Sequence, residues 1–410
     1  MKTSAIVAGV GMTNFGKHLE TGLKALGGEA VRAAIADAGL QNSDIEAAYV
    51  GNAAAGLVTG QECIRGEVVL RSVGIGKIPV INVENACASA STALNQAAAM
   101  VTAGLYDVVL ALGVEKLYHE DKRKSFAAFS GAVDVEELAK IMERLRAGAR
   151  EGGADKAASG AGENRSMFMD IYASAARAHM KHWGTTVQQF AKISSKNSFH
   201  GSLNPRAQFR EALSIEDVLN SPMIAEPLTR PMCSPIGDGG AAVVLVSEKK
   251  ARELGISNPV RIVTSVLHSG WDRGTEENGV ADLCIQEALA QAGATPNDLN
   301  VIECHDASAP AELMAYESIG LCAKGEGGAL VESGATTLGG RIPVNTSGGL
   351  LRKGHPVGAT GIAQIVELTE QLQGRSGPRQ VEGAKLALAH NGGGSIGSDA
   401  AAMCVTILAR

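Results

Sequence analysis

The sequence predicts an α/β fold built from two similar halves, with a pseudo-twofold core and an inserted loop domain. Strand and helix patterns alternate through the first third of the chain, the same pattern returns in the last third, and a segment between them breaks the rhythm. We predict an N-terminal half over residues 1–255, with the insertion at about 115–235, and a C-terminal half over residues 256–410. A chain of 410 residues exceeds one typical core.

Composition narrows the class of protein. Apolar residues make up 45% and aromatic residues 3% of a chain with 50 glycines, which suits closely packed helices and strands. The net charge of −6, without basic runs, argues against nucleic acid or a membrane as partner. Seven cysteines without CxxC pairs favour reduced thiols over disulfides or a metal site. We therefore predict a cytoplasmic protein with no metal.

The elements of the N-terminal third follow in a β-α-β order typical of a parallel sheet covered by helices. The Gly9-Val10-Gly11 segment lacks the third glycine of a dinucleotide-binding loop, because Asn14 stands in that position. We predict strands over residues 5–10, 45–51, 78–83 and 108–113, the third of them buried, and helices over residues 22–38 and 91–104.

The rhythm breaks after Glu115. A charged helix over residues 134–150, a glycine-rich and mobile loop over 151–163 and amphipathic helices over 167–196 are predicted there. A strand pattern resumes over residues 237–246. We interpret the insertion as a cap over the sheet, where a substrate-binding region would lie.

Cys87 is the predicted nucleophile. It stands among small residues between a strand pattern and a helix pattern, so its sulfur lies at or near a helix N-terminus. The helix dipole and the free backbone N–H groups there favour the thiolate. A buried structural cysteine is the alternative interpretation.

An internal repeat brings distant loops to this cysteine. The helix over residues 30–39 parallels residues 281–293, the strand over 4–11 parallels 259–266, and Asn85 to Cys87 fall opposite Asn345 to Ser347. The repeat places His305 at the C-terminal end of a strand, where open α/β sheets bind ligands.

Two further histidines belong to the loops that the repeat brings together. His355 is flanked by glycine and proline, which are expected to fix a backbone turn rather than to bury the side chain. His390 follows a predicted last strand over residues 385–389 and precedes three glycines, whose backbone N–H groups could approach a ligand closely. Each histidine alone is ordinarily structural; three of them around one cysteine predict a catalytic site.

These motifs resemble those of the thiolase superfamily, and most closely its sterol-carrier or lipid-transfer-protein type. The resemblance runs almost end to end and is weakest over residues 118–164. It rests on Asn-x-Cys ending at Cys87, His-Asp-Ala-Ser from His305, Asn-Thr-Ser-Gly-Gly from Asn345, Gly-His-Pro-Val-Gly-Ala-Thr-Gly around His355, and His-Asn-Gly-Gly-Gly from His390. It implies the thiolase fold, with two βαβαβαββ halves.

The resemblance also implies roles. His355 would deprotonate Cys87, which would attack a 3-oxoacyl-CoA and form an acyl-enzyme. His305 and His355 would bind the thioester oxygen, and the backbone N–H groups of Cys87 and Gly392 would form a second oxyanion hole. Coenzyme A would be a substrate, with no covalently bound cofactor, and the resemblance assigns Ser347 and Gly348 to its binding.

One departure from the family concerns proton exchange. Many thiolases carry a second catalytic cysteine, where this sequence has Ala307 and His390. We expect His390 to do the acid/base work, because histidine exchanges protons near neutral pH; the alternative is that it only orders its loop.

Function and partners are predicted with alternatives. Thiolytic cleavage or the reverse Claisen condensation is the main prediction, on a bulky, branched or aromatic acyl group such as benzoylsuccinyl-CoA, in lipid or aromatic degradation. An acyltransferase that passes the acyl group to a carbon nucleophile, and a non-thiolytic CoA-ester-binding or retro-aldolase subunit, are the alternatives. The resemblance implies a homodimer and a small zinc-ribbon/OB-fold partner subunit.

Overall fold

The computed structural model describes residues 1–151, 165–274 and 277–410, and its described strands form one nine-stranded sheet and one small hairpin. The strands are β1 Ile6–Met12, β2 Ala47–Gly51, β3 Val80–Val83, β4 Val108–Glu115, the hairpin β5 Met223–Ala225 and β6 Leu228–Thr229, β7 Gly239–Val246, β8 Val260–Ser269, β9 Val301–Glu303, β10 Leu386–Gly393 and β11 Ala402–Ala409.

Fifteen α-helices occur in the same described residues. They are α1 Leu23–Asp37, α2 Ala55–Thr59, α3 Arg65–Ser72, α4 Ser89–Thr102, α5 Lys122–Ser130, α6 Leu138–Glu151, α7 Met167–Trp183, α8 Val187–Ser202, α9 Ile215–Leu219, α10 Glu248–Glu253, α11 Val280–Ala292, α12 Ala309–Ile319, α13 Gly327–Ser333, α14 Gly349–Arg352 and α15 Thr360–Leu372.

The order of the strands confirms the two similar halves. The order of strands in the sheet is β3-β2-β4-β7-β1-β8-β11-β10-β9. The strands β7, β4 and β2 on one side of the central pair β1 and β8 thus correspond to β11, β10 and β9 on the other side. Matching ladders have matching directions: β1 with β7 and β8 with β11 are antiparallel, whereas β2 with β4 and β9 with β10 are parallel. In the first half, β3 pairs in parallel with β2. At the corresponding position of the second half, Val344 forms a parallel bridge to Ile302 of β9. The sheet is therefore mixed and pseudo-twofold.

Apolar packing arranges the halves in layers. Helices α4 and α15 lie in one core between the two halves of the sheet. Helices α1 and α3 cover the outer face of the N-terminal half, and α7, α8, α11 and α12 cover the outer face of the C-terminal half. The loops before α4 and α15 thus enter the middle of the molecule, where Gly361 is required because a Cβ there would overlap Ser91 and approach Asn391.

The sequence predicted the third strand as buried, and the structure corrects this. Strand β3 forms the edge of the sheet, none of its residues is buried, and Ile81 is 38% exposed. Its apolar composition indicated a strand but could not distinguish an edge from an interior position. The strand predicted over residues 385–389 begins at Leu386 and continues through His390 to Gly393.

The insertion consists mainly of helices, as predicted. Helices α7 and α8 cover the predicted amphipathic region, and the charged helix begins at Leu138 rather than at 134. The glycine-rich loop predicted over residues 151–163 lies, beyond its first residue, outside the described residues. Among the described helices, none has the length and apolar character needed to cross a membrane.

Candidate active site

Cys87 lies in a short 3₁₀ turn, Ala86–Ala88, directly before α4. Ala86 adopts a positive φ of 47°, and Gly393 lies so close that a Cβ there would overlap the carbonyl oxygen of Asn85. The turn therefore presents the Cys87 side chain, which is partly exposed, to a cavity at the boundary of the two halves.

The thiolate predicted for Cys87 is not favoured in the structure. Burial raises the pKa of its thiol to about 12, and the carboxylates of Glu115 and Glu84 add to this rise. The backbone N–H groups of Gly394 and of Cys87 itself lower the pKa, but by less. The helix N-terminus is thus outweighed by desolvation, and the resting nucleophile is a thiol that needs a base.

His355 has the protonation state of a base. Its ring is buried, contrary to the expectation of an exposed turn, and burial lowers its pKa to about 3. Nδ1 lies 2.7 Å from the hydroxyl oxygen of Thr360. The Thr360 O–H donates a hydrogen bond to the carbonyl oxygen of Pro356 at 3.0 Å. Nδ1–H therefore donates to Thr360, and Nε2 keeps a free lone pair.

His305 has the opposite tautomer. The side-chain N–H of Asn391 donates to Nδ1 of His305 at 2.9 Å, and the Asn391 oxygen accepts from Ser91 of α4 at 2.8 Å. Burial lowers the pKa of His305 well below its usual value, so the ring is neutral. Because Nδ1 accepts, Nε2 carries the proton and is a hydrogen-bond donor.

The structure brings these three side chains together, as the repeat predicted. One ligand-type atom from each of Cys87, His305 and His355 lies within 4.8 Å of the other two, and the two rings meet edge to face at 5.3 Å. Cysteine and histidine at this spacing are also zinc-ligand types, but a protonated Nε2 on His305 donates rather than ligates. The arrangement combines a thiol, a base and a hydrogen-bond donor.

His390 lies on β10 and lines the same cavity. It is 6% exposed, and burial lowers its pKa to about 4, while the carboxylate of Asp282 on α11 opposes that change. Its Nδ1 accepts from the backbone N–H of His305 at 3.4 Å, and its Nε2 has no partner among the described residues.

The glycines after His390 lie against the nucleophile. Gly392 to Gly394 line the cavity, and the backbone N–H that affects the Cys87 sulfur is that of Gly394. Gly392 belongs to β10 and pairs with Met403 of β11. The sequence assigned Gly392 to an oxyanion hole; the structure places Gly394 at the sulfur as well.

The cavity has a volume of about 1220 Å³. Beyond the catalytic cluster its walls are largely apolar, and they come from the insertion and from α12: Phe126, Phe129, Phe168, Met169, Tyr172, Ala311, Met314 and Ala315. A cavity of this size and lining fits a ligand with a substantial apolar portion.

Four cations line the outer part of this cavity. Lys17, Lys122, Arg210 and Arg230 are exposed, and none of them forms an ion pair within the described part of the chain. Such a rim attracts phosphate groups through Coulomb forces.

Ser347 and Gly348, assigned to coenzyme A, lie away from this cavity. Ser347 is fully buried and donates its hydroxyl to Glu303 at 2.6 Å, and Gly348 packs against Gly201. They contribute to a buried network that includes the Lys353–Glu303 ion pair at 3.2 Å. This geometry gives their predicted contact with coenzyme A no support.

The residues that set the tautomers were not predicted from the sequence. Asn391 and Thr360 lie within the histidine motifs, and Glu115 follows a predicted strand pattern. Glu115 accepts from the backbone N–H of Ala54 at 3.1 Å and of Gly358 at 3.0 Å, so it ties the His355 loop to β4. The sequence offered one signal for Asn391 and Thr360, because each is a polar residue one to five positions after a predicted catalytic histidine.

Comparison with known proteins identifies the family. "Thiolase, N-terminal domain" matches residues 5–249, and "Thiolase C-terminal domain-like" matches residues 278–409. An acetyl-CoA acetyltransferase of Methanothermobacter thermautotrophicus is 39% identical and covers 96% of this chain and 97% of its own. Benzoylsuccinyl-CoA thiolase subunit BbsB of Thauera aromatica is 35% identical, covering 96% of each. Sterol carrier protein 2 of Homo sapiens is 35% identical over 94% of this chain and 69% of its own.

A solved structure shares the architecture. The Ltp2-ChsH2(DUF35) aldolase superposes with a TM-score of 0.76 at 26% identity, covering 98% of this chain and 97% of the matched chain. The chain belongs to the thiolase superfamily, sterol-carrier-protein-2 type, and is an acyltransferase.

Proposed function

We propose that this protein is a thiolase that cleaves a 3-oxoacyl-CoA with free coenzyme A through an acyl-enzyme on Cys87. The observation that carries the proposal is the cluster in which the Cys87 sulfur, one ring nitrogen of His305 and one ring nitrogen of His355 lie within 4.8 Å of one another. The acetyl-CoA acetyltransferase and the thiolase subunit among its relatives support this reaction class.

The reaction follows from the protonation states. Nε2 of His355 takes the proton of Cys87, and the sulfur attacks the C3 carbonyl carbon, whose oxyanion is held by the backbone N–H groups of Cys87 and of Gly392 or Gly394. The C2–C3 bond then breaks, and its electron pair forms the thioester enolate of the leaving acyl-CoA. Nε2–H of His305 donates to the enolate oxygen.

Proton return to C2 falls to His355 in this scheme. The sequence predicts His390 for this step. We propose His355 instead, because its ring already carries the proton taken from Cys87 and gives that proton to C2 once the C2–C3 bond has broken. In the second half of the cycle His355 takes the proton of the coenzyme A thiol, which attacks the acyl-enzyme. Cys87 leaves as a thiolate and regains the proton from His355.

The rim cations support coenzyme A as the substrate. Lys17, Lys122, Arg210 and Arg230 are exposed residues of the cavity lining, and their charges are suited to the phosphates of coenzyme A. The apolar walls formed by α7 and α12 support a bulky, branched or aromatic acyl group, such as that of benzoylsuccinyl-CoA. No covalently bound cofactor takes part in the proposed chemistry.

We also propose a homodimer that forms through β3. This strand is the exposed edge of the sheet, and the half-exposed Ile81 lies on it, so a second copy could extend the sheet and cover it. The aldolase neighbour, named with a DUF35 component, supports a small partner subunit. The seven free cysteines suit a reducing compartment such as the cytoplasm.

The retro-aldolase alternative rests on that same neighbour. Chromatography of the CoA esters distinguishes the two functions. With a 3-oxoacyl-CoA and free coenzyme A we expect two acyl-CoA products, at a rate that Cys87→Ala reduces to background. Cleavage of a 3-hydroxyacyl-CoA without free coenzyme A, unaffected by Cys87→Ala, would contradict the thiolase and favour the aldolase. Acyl transfer to a carbon nucleophile with no thiolysis would favour the remaining alternative.

A further inference from the structure

One buried cation of this protein differs from all the others that the structure describes. The buried lysine and arginine side chains among the described residues are Lys116, Lys196, Arg352, Lys353 and Arg379. Each of them except Arg352 forms an ion pair with a buried carboxylate. Because a buried charge is ordinarily paired, the exception indicates an anion that comes from outside the chain.

Arg352 belongs to the substrate cavity and is held firmly in its wall. It is the last residue of α14, it lines the cavity, and it is 6% exposed. Its carbonyl oxygen accepts from the backbone N–H of Phe209 at 3.1 Å, and its guanidinium carbon lies 5.3 Å from the centre of the Phe209 ring. The backbone and the guanidinium are therefore both positioned before a ligand binds.

One nitrogen of the guanidinium remains open to a ligand. Nη2 donates to the carbonyl oxygen of Glu211 at 2.7 Å, and Nε is enclosed without a partner. Nη1 has no partner among the described residues and is not one of the enclosed atoms. The carboxylate of Glu211 opposes the effect of burial on the Arg352 pKa, but it is exposed and beyond ion-pair distance. Solvent screening weakens such a contact.

The position of Arg352 in the chain favours a carboxylate over a phosphate. Three residues separate it from His355, so their Cα atoms lie at most about 11 Å apart. In coenzyme A the pantetheine arm keeps the phosphates far from the thioester, and the exposed cations Lys122 and Arg210 are suited to them. An anion near the catalytic histidine is therefore best supplied by the acyl group.

We propose that Arg352 binds a carboxylate carried by the acyl group, through Nη1–H. This inference rests on the proposed function and narrows its substrate class to 3-oxoacyl-CoA esters that carry a free acid group. The apolar walls then contact the carbon chain of the acyl group, and Arg352 selects acids over acyl groups that end in a methyl group.

The test is a binding measurement without turnover. In a Cys87→Ala background, calorimetry compares succinyl-CoA with butyryl-CoA, glutaryl-CoA with pentanoyl-CoA and adipyl-CoA with hexanoyl-CoA. The esters of each pair have equal chain length and differ in a terminal carboxylate or methyl group. We expect the acid of one pair to bind about tenfold to hundredfold more tightly than its counterpart, the range of a charged hydrogen bond.

Two variants of Arg352 separate recognition of the carboxylate from a structural role. Arg352→Gln keeps an amide N–H for the Glu211 carbonyl oxygen but removes the charge, and we expect it to abolish the preference for the acid. Arg352→Lys keeps the charge, and we expect part of the preference to remain. A preference that Gln retains and Lys loses would overturn the proposal. Equal losses for both esters of a pair would place Arg352 at a phosphate and overturn it too, as would the absence of any preference before substitution.

The controls keep this test independent of the proposed function. Arg206→Gln is the matched variant, because Arg206 is half-buried, pairs with Glu370 at 3.0 Å and lies outside the cavity lining that the structure describes. It should leave the preference unchanged, and thermal unfolding checks that each variant is folded. A preference for the acid without thiolysis of any 3-oxoacyl-CoA would count against the proposed function alone. Thiolysis without that preference would count against this role of Arg352 alone.

Discussion

The side-chain N–H of Asn391 donates to Nδ1 of His305 at 2.9 Å, across 86 residues of sequence. This bond fixes the tautomer of His305, so that its Nε2 carries the proton. Asn391 is itself held by Ser91 of α4. The donor nitrogen is therefore positioned by contacts between the two halves of the fold.

Removal of this contact should slow the reaction without weakening substrate binding. In Asn391→Ala the His305 ring is free to carry its proton on Nδ1, and Nε2 then ceases to donate to the enolate oxygen. We expect kcat to fall about tenfold, less than the hundredfold or more for complete loss of an oxyanion donor, with KM within about twofold. Asn300→Ala, beside the other end of β10, is the control. Equal kcat values for both variants would contradict the role of Asn391.

Alkylation of Cys87 should report its high pKa. Because only the thiolate reacts, the rate with iodoacetamide should rise about tenfold per pH unit from pH 6 to pH 10 without levelling off, as a pKa of about 12 requires. A Cys63→Ser background removes the exposed cysteine. Mass spectrometry of the labelled peptide gives the rate. A plateau below pH 8 would indicate a resting thiolate and contradict the need for His355.

The rim cations should affect binding and not chemistry. Lys122→Ala and Arg210→Ala each remove one cation near the proposed phosphate site, and we expect KM for the acyl-CoA to rise about threefold to tenfold at low salt, with kcat unchanged. The increase should shrink as NaCl is added. Arg123→Ala is the matched control, because Arg123 is exposed and paired with Asp121. An equal increase in KM for Arg123→Ala would remove the assignment.

Acid should destabilise the fold through its buried neutral histidines. Burial lowers the pKa to about 3 for His200 and His355 and to about 4 for His390, whereas an unfolded histidine titrates near 6.5. The unfolded chain thus binds protons first. The contribution of these histidines to the free energy of unfolding is fully present above pH 6.5. It is lost as the pH falls towards 4, by about 1.4 kcal/mol per pH unit for each histidine.

Urea unfolding between pH 7 and pH 4.5 measures this loss. His200 lies outside the cavity and is bonded to the carbonyl oxygen of Asn345 and the N–H of Leu338. His200→Gln should lower stability at every pH but flatten its dependence on pH by about one histidine's share. An unchanged slope would contradict the assignment of a neutral, buried His200.

Sequence patterns predicted the fold because they reflect burial on a repeating scaffold. Helix α1 and strand β4 lie within a few residues of their predicted positions, and the repeat gave the matching strand orders of the two halves. The edge position of β3 was not predictable, because an apolar run such as Val80 to Val83 indicates a strand but does not indicate which strands lie beside it in the sheet. Antiparallel pairing of β7 with both β1 and β4 required the three-dimensional connections.

The identity of the clustered residues was predictable, but their protonation was not. The motifs and the repeat pointed to Cys87, His305, His355 and His390, and the structure brings all four to one cavity. The helix N-terminus suggested a thiolate at Cys87, yet desolvation dominates its pKa. Tautomers depend on partners such as Asn391, which approach only in the folded chain.

Mass spectrometry of the intact protein tests whether Cys87 carries the acyl group. After brief incubation with a 3-oxoacyl-CoA without free coenzyme A, we expect a mass increase equal to the acyl group, located on the peptide that contains Cys87 and removed by added coenzyme A. Cys87→Ala should show no adduct while still binding the ester. Turnover without any adduct on Cys87, or an adduct on another cysteine, would show that Cys87 is not the nucleophile.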